Sequence, residues 1–415
     1  MTDDARVRER VLRDEAPHVV GALARRFGRF DIAEDAAQEA LLAASRQWAE
    51  DGIPEEPRAW LIRVGYRRMI DMIRSAQAER RREEEYAAGD PVWIDPASRV
   101  TIDVDDSLHL LLLCCHPILS PGSRIALTLR AVGGLATAEI AHAYGVTEPT
   151  MAVRISRAKQ QLRKAGARFE FTASDDLEAR TTAVRKVLYL IFNEGYTASA
   201  GDRLIRADLS TEAIRLARLL HRQAPDDAES AGLLALMLLT DSRRAARVDD
   251  AGQLIPLAEQ DRDRWDPGMI TEGTALIEAA WPRGPVGAYQ LQAAIAAVHA
   301  EARKPEDTDW RQIAALYLAL EQAEPGGPTM LARVVAVAHA YGAAAALELL
   351  DQRDREHGLS GHPLTAQRAH AIRAHLLADS GRAEAARSAF LAAADLAENR
   401  VESHYLRRKA GGAAD

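Results

Sequence analysis

The sequence predicts an all-α protein, and three observations support that prediction. Alanine, leucine, arginine and glutamate are abundant, whereas aromatic residues make up only 5% of the chain. Alanine and the straight-chain residues lose little entropy in a helix, while strands favour β-branched and aromatic side chains. Apolar residues also recur at helical spacings of three and four between short Gly/Pro/Asp turns. A chain of 415 residues with this pattern predicts several helical domains.

Charge and hydropathy exclude two broad classes. The net charge of −8 argues against a protein that coats nucleic acid without specificity, although a sum over the chain can hide local patches. No apolar run approaches the roughly 18 residues of a membrane span. The charged N-terminus, MTDDARVRERVLRDE, is unlike a signal peptide. We therefore expect a cytoplasmic protein with no membrane partner.

The two cysteines, Cys114 and Cys115, are neighbours in the chain. Adjacent cysteines have poor geometry for an intrachain disulfide. With His109 and His116 nearby they could hold a metal, but LHLLLLCCHPIL is more typical of a buried helix. We expect no metal and no cofactor.

Charge changes sign along the first hundred residues. Residues 31–56 are acidic, and residues 57–82 carry many arginines. Such opposite blocks on adjacent helices indicate two different partners for two faces. Residues 1–82 are predicted to form one domain. The acidic, Gly- and Pro-containing residues 83–106 are predicted to form a linker.

A helix-turn-helix is predicted at residues 137–164, within a second small domain at residues 107–172. Gly145 provides the turn and Thr147 can cap the second helix. The buried stripe of that helix is predicted to be Met151, Ile155, Ala158 and Leu162, and its polar faces carry Thr150, Arg154, Arg157, Lys159 and Arg163. Such a basic helix fits the major groove of DNA. The alternative is an amphipathic helix with a solvated basic face.

The segment PRAWLIRVGYRRMIDMIR, residues 57–74, interleaves aromatic and basic residues. Trp60 and Tyr66 alternate with Arg63, Arg67, Arg68 and Arg74. Aromatic faces stack on bases and guanidinium groups hold the backbone, as single-stranded nucleic acid requires.

Taken in order, DIAEDAAQEALLAASRQW, residues 57–74, the acidic linker and the helix-turn-helix resemble bacterial RNA polymerase sigma factors of the extracytoplasmic-function (ECF) type. The resemblance covers about the first 170 residues. It implies core RNA polymerase as a partner, contacted at its β′ clamp helices and β flap, and promoter DNA as another.

The resemblance also assigns roles to particular residues. The residues implied to dock on the β′ clamp helices are Asp35, Gln38, Glu39 and Leu42. Those implied to capture the −10 element are Trp60, Arg63, Arg67, Arg68, Asp71 and Arg74. Those implied to read the −35 element are Thr150, Val153, Arg154, Arg157 and Lys159. Arg67 stands where many members of the family have Asn, so the identity of the captured −10 base stays open.

Residues 175–415 are predicted to form a large, repeat-like helical domain. In the last hairpin, small Ala386 and Ala393 flank large Phe390, a spacing that resembles tetratricopeptide repeats over one repeat. A single irregular helical domain is the alternative. The resemblance extends to the ECF subgroup with a fused tetratricopeptide-like C-terminal domain. It implies regulation through that domain, and we expect a protein or peptide regulator.

The segment FNEGYTAS, residues 192–199, is dense in polar groups and is called the joint segment below. Asn193, Glu194, Gly195 and Tyr196 are interpreted as an interdomain joint, with Gly195 allowing the chain to turn. Carboxylates at Asp261, Asp263 and Glu272 could supply acid–base groups, but no phosphate loop or nucleophile elbow accompanies them. An interhelical salt-bridge network is favoured, and we expect no enzyme.

Two functions fit the whole chain. One is a sigma factor with a regulatory extension, and the other is a helix-turn-helix regulator with a repeat-type sensor domain that binds duplex operator DNA without a polymerase role. Residues 31–74 separate them, since an operator-binding protein has no use for an acidic docking helix followed by a strand-opening helix.

Overall fold

A computed structural model describes residues 3–83, 106–144, 146–167, 177–199 and 203–412. Across those ranges the chain forms eighteen α-helices and no β-strand, with one isolated bridge between Val248 and Leu254. The all-α prediction is confirmed. The linker predicted at residues 83–106 lies almost entirely outside the described ranges, and so does Gly145. The chain divides into two compact units, Met1–Leu190 and Ile191–Asp415.

The first unit begins with three long helices that pack against one another. They are α1 (Asp3–Phe27), α2 (Phe30–Asp51) and α3 (Pro57–Glu83). Alanines at intervals of three and four line the inner face of α2 and let its neighbours approach closely. Leu23, Trp48, Leu61 and Met69 fill the shared core.

The first unit continues with four shorter helices and most of a fifth. They are α4 (Ser107–Cys114), α5 (Pro121–Ala131), α6 (Thr137–Ala143), α7 (Glu148–Lys164) and α8 (Leu177–Tyr196), whose last turn belongs to the second unit. The buried helix predicted around the cysteines is α4, and both thiols are fully buried. Burial raises the pKa of Cys115 to about 12, so this thiol stays protonated.

The predicted start and buried face of the second helix of the helix-turn-helix, α7, are both confirmed. The Thr147 hydroxyl accepts a hydrogen bond from the Thr150 N–H at the first turn of α7, and Pro149 lies where no N–H is needed. The predicted stripe is buried and consists of Met151, Ile155, Ala158 and Leu162. The residues between those of the stripe therefore lie on the other faces of α7.

The second unit is a series of helices in which successive helices pack together. They are α9 (Ala207–Gln223), α10 (Ala228–Asp241), α11 (Pro267–Ala280), α12 (Ala288–Glu301), α13 (Trp310–Ala323), α14 (Gly327–Tyr341), α15 (Ala343–His357), α16 (Ala366–Asp379), α17 (Ala383–Leu396) and α18 (Arg400–Gly412). Short 3₁₀ turns interrupt the series. Ala386, Phe390 and Ala393 of α17 are buried in one cluster with Ala374 and Leu377 of α16. Among the described residues, no helix has the length and apolarity needed to cross a membrane.

Candidate nucleic-acid interface

One face of α2 carries the residues predicted to dock on polymerase. Asp35, Gln38, Glu39 and Leu42 follow the spacing of three and four that aligns side chains along a helix. Leu42 is 58% exposed, an unusual degree for a large apolar side chain. Glu39 is also exposed and lies 3.3 Å from Nε of Arg68 on α3. A partner that covers this face would bury an apolar residue beside a carboxylate.

The structure places the residues predicted to hold the −10 strand on α3. The indole of Trp60 packs edge-on against Trp48, with ring centroids 5.5 Å apart. Tyr66 packs against Phe27, with Arg26 over its ring. The side chains that remain exposed are Arg63, Arg67, Arg68, Asp71 and Arg74.

This arrangement has the two components that are needed to bind a single DNA strand, an aromatic face and exposed positive charges. The half-buried Trp60 is already held against Trp48, so little conformational entropy is lost when a base stacks on its ring. Exposed guanidinium groups on the same helix can neutralise phosphates, and an aromatic face can stack on an unpaired base. The chemistry on α3 therefore suits an opened DNA strand.

The residues predicted to read the −35 element differ in their exposure on α7. Thr150, Val153 and Arg157 are exposed, and Arg154 is half-buried. Lys159 instead points inward and is buried. The exposed first turns of α7 can reach base edges in a major groove, whereas Lys159 must leave its present contacts before it can reach a phosphate.

Lys159 belongs to a cluster of charges shared by α2, α5 and α7. Its Nζ lies 2.9 Å from Oε2 of Glu34 and 2.5 Å from Oδ1 of Asp35. Nε of Arg130 on α5 lies 3.0 Å from the other carboxylate oxygen of Glu34, Oε1. Burial alone would lower the pKa of Lys159, but the two carboxylates outweigh it and raise that pKa, so the lysine stays charged.

The charge cluster was missed by reasoning from the sequence. Glu34 and Arg130 are 96 residues apart, and Glu34 and Lys159 are 125 apart. Only the position of Glu34, on the inner face of an otherwise alanine-rich helix, marks it as a buried charge that needs a partner. Nothing in the sequence identifies that partner.

The joint segment forms hydrogen bonds with residues from two distant parts of the second unit. The guanidinium of Arg247 lies 3.5 Å from the ring centroid of Tyr196 and donates to the Tyr196 carbonyl and the Thr197 hydroxyl. From the start of α18, the Asn399 amide donates to the carbonyls of Ala198 and Arg203, both at 3.0 Å. The segment has the hydrogen bonds of a structural joint, and its role between domains stays a prediction.

Gly195 acts differently from the prediction. It lies inside α8 and makes no turn. A Cβ there would lie 2.3 Å from the backbone nitrogen of Ser210, so the missing side chain lets the start of α9 approach α8. The Glu194 carboxylate accepts a hydrogen bond from the Ser199 N–H at 3.3 Å, and burial raises the pKa of Glu194. Asn193 contributes its backbone carbonyl, which accepts from the Thr197 N–H.

Two other carboxylates that could have served catalysis, those of Glu272 and Asp261, have structural partners. Glu272 and Arg218 form a bidentate pair at 3.0 and 2.7 Å. Asp261 accepts from the N–H of Asp263 and caps a short 3₁₀ turn. Arg262 of that turn donates to the carbonyls of His299 and Ala302, which fixes the turn against α12.

A cleft of about 900 Å³ lies within the second unit. Its walls include two rings that stack with centroids 4.0 Å apart, those of Trp310 and His339. His375, Tyr405 and Lys409 line the same cleft. A cleft of this volume can enclose a drug-sized molecule or a few residues of a peptide.

Comparison with known protein families identifies the parts of the chain. Residues 11–79 match sigma-70 region 2, and residues 109–162 match sigma-70 region 4. Residues 180–281 match DUF6596, a family of unknown function. No solved structure matches the chain.

Several proteins are similar in sequence. Uncharacterized protein R00370 of Rhizobium meliloti is 42% identical over 94% of this chain and 92% of its own length. The probable ECF RNA polymerase sigma factor SigI of Mycobacterium tuberculosis is 34% identical over 35% of this chain and 50% of its own. The ECF RNA polymerase sigma factor SigK of Mycobacterium ulcerans is 30% identical over 35% of this chain and 78% of its own.

The similarity to the two sigma factors covers about 150 residues, about as much as regions 2 and 4 and the segment between them occupy. The similarity to the Rhizobium meliloti protein also covers the helical series that follows. This chain therefore belongs to one family with that protein along nearly its whole length, and its regions 2 and 4 make it an ECF-like sigma factor.

Proposed function

We propose that this sigma factor binds core RNA polymerase through α2, captures one strand of the −10 element on α3, and reads the −35 element with α7. The observation that carries the proposal is the surface of region 2. The row on α2 exposes two carboxylates and ends at the exposed apolar Leu42, and an arginine-rich surface beside the anchored Trp60 lies on α3. A protein that reads only duplex DNA needs neither surface, so the operator-binding alternative is not favoured.

The experiment is transcription in vitro from fragmented genomic DNA with core polymerase, followed by sequencing of the 5′ ends of the RNA. With the protein present, we expect new 5′ ends that share two upstream elements at a constant spacing. Core polymerase alone is the control. If the protein adds no such ends, the sigma role fails.

We infer further that the second unit regulates the first and that its cleft receives the regulator, a peptide segment. The stacked Trp310 and His339 and the ring of Tyr405 offer flat surfaces. The charged residues of the lining are Glu259, Arg262, Glu306, Asp379 and Lys409. Flat rings with charges of both signs suit a short peptide that carries an aromatic side chain.

A peptide library displayed on phage and selected on the whole protein tests the cleft. Peptides enriched on the wild type should lose binding to Trp310→Ala but keep binding to Trp281→Ala. Trp281 is the matched control because it is 41% exposed and is not a lining residue of the cleft. Equal binding to all three proteins would place the peptide site elsewhere.

A further inference from the structure

The charge cluster between α2, α5 and α7 joins region 2 to region 4. Glu34 is 1% exposed and holds two cations, Arg130 and Lys159, which lie on different helices of region 4. Two further contacts join the same surfaces: Arg163 to Asp31 at 3.7 Å, and the Gln38 amide to the Arg130 carbonyl at 3.5 Å. Unlike exposed ion pairs, a buried carboxylate cannot lose its cations without a large penalty.

The cluster occupies groups that both predicted interfaces need. Asp35 and Gln38 belong to the row predicted to dock on polymerase, and both contact region 4. Lys159 belongs to the set predicted to contact the −35 element, and it is held by Glu34 and Asp35. Neither the α2 row nor α7 can present its full set of residues while this cluster is intact.

We propose that Glu34, Asp35, Arg130 and Lys159 form a latch that holds regions 2 and 4 in a closed, inactive arrangement, and that polymerase opens it by docking on α2. This inference rests on the proposed sigma function. In the closed form, region 4 holds the Asp35 carboxylate and the Gln38 amide by hydrogen bonds. In the open form, α2 and α7 are free to engage polymerase and DNA separately.

The charges also define what can open the latch. A partner that merely pulled region 4 away would leave Glu34 without a cation, which is costly for a carboxylate at that depth. A partner with basic side chains on its docking surface replaces Arg130 and Lys159 as it binds. The latch therefore opens to a surface that brings positive charge to these carboxylates and resists one that brings none.

Only open molecules bind polymerase, so the measured affinity is the intrinsic affinity multiplied by the fraction of molecules that are open. Weakening it should tighten binding, which is the opposite of what loss of a docking residue does. Arg130 is the residue to change, because it lies on α5 and has no predicted contact with polymerase or DNA. Arg130→Gln removes one cation from Glu34, and Arg130→Lys keeps a cation there.

The matched control is Arg124→Gln. Arg124 is also an arginine of α5, but its guanidinium donates to the carbonyls of His116 and Pro117, within region 4. Core polymerase is titrated into each full-length, fluorescently labelled protein and the Kd is measured by anisotropy. We expect Arg130→Gln to bind at least about tenfold more tightly, about 1.4 kcal/mol. Arg124→Gln and Arg130→Lys should stay near the wild type.

A distance measurement keeps the test valid if Arg130→Gln folds poorly. Arg46 of α2 and Gln161 of α7 are exposed, so Arg46→Cys and Gln161→Cys can carry spin labels. The native thiols are buried, and burial raises the pKa of both. We expect one short distance in the free protein and a longer one after core polymerase is added.

Each outcome decides between the two proposals. If the wild type binds polymerase but Arg130→Gln binds no more tightly, or if the label distance is the same in the free and bound proteins, the latch is wrong and the sigma function stands. If no variant binds polymerase, the sigma function is overturned and the latch falls with it.

Discussion

Trp60 is the residue of α3 on which strand capture depends most. Its indole is anchored by Trp48, and exposed arginines lie on the same helix. Trp60→Ala should reduce promoter opening by about fivefold to about 150-fold, since stacking of a base on an aromatic ring contributes about 1–3 kcal/mol. Permanganate reactivity of −10 thymines measures the opening. Binding to duplex −35 DNA, which involves α7 only, should be nearly unchanged.

Trp60→Phe is the control for that prediction, because phenylalanine keeps an aromatic face and fills most of the space beside Trp48. It should retain most of the opening activity. If Trp60→Ala weakens −35 binding as much as opening, its effect is on the fold of the unit and the assigned role is wrong.

His299 makes the stability of the second unit depend on pH. Burial, with the positive charges of Arg243 and Arg262 nearby, lowers the pKa of His299 to about 4. An unfolded histidine titrates near 6.5, so between these values only the unfolded chain binds the proton. Stability is therefore complete above about pH 6.5 and falls as the pH drops toward 4. Burial also lowers the pKa of His339 and that of His375, so both contribute to the pH dependence with the same sign.

Urea unfolding at about pH 7.5 and about pH 5 tests this linkage. The wild type should lose more free energy of unfolding than His299→Gln between the two conditions, by up to about 2 kcal/mol. His362→Gln, which changes an exposed histidine, should behave as the wild type. An equal loss in the wild type and His299→Gln would show that His299 does not carry the effect.

At the scale of the elements, the contact between α8 and α9 depends on Gly195. An added Cβ would meet the backbone of Ser210 at 2.3 Å, and backbone cannot move aside as a flexible side chain can. Gly195→Ala should lower the free energy of unfolding of the second unit by roughly 1–3 kcal/mol, the usual cost of overpacking. Thermal unfolding followed by circular dichroism measures it.

Gly411→Ala is the matched control, because Gly411 lies near the end of α18 and an added Cβ there would have no atom within 4 Å. It should be neutral or slightly stabilising, as alanine favours helices. If both substitutions have the same effect, helix propensity accounts for it and the close approach of α9 does not.

Short-range features of these elements could be predicted from the sequence. The cap at Thr147 and the stripe from Met151 to Leu162 follow from hydrogen bonding and helical period within one segment. The sequence predicts a turn at Gly195 because glycine is common at turns, whereas the role of this residue depends on a neighbouring helix. The partners of Glu34 and Asn399 come from distant helices, and local periodicity contains no information about them.

At the scale of the whole molecule, we expect the second unit to control the sigma activity of the first. Truncation after residue 175, which removes the second unit together with α8, should change transcription by core polymerase from a matched promoter, in either direction. The control is the point variant Gly411→Ala in the full chain, which should transcribe as the wild type. If the truncated and full-length proteins initiate equally well, the regulatory role of the second unit is wrong.

Promoter opening by the full-length protein, measured with and without core polymerase, separates a sigma factor from a regulator that binds duplex DNA alone. We predict that −10 thymines become reactive to permanganate only when the protein and core polymerase are both present. Binding of the protein to the same duplex without polymerase, with no opening when polymerase is added, would rule out the sigma role. That result would identify a regulator of duplex operators in place of a sigma factor.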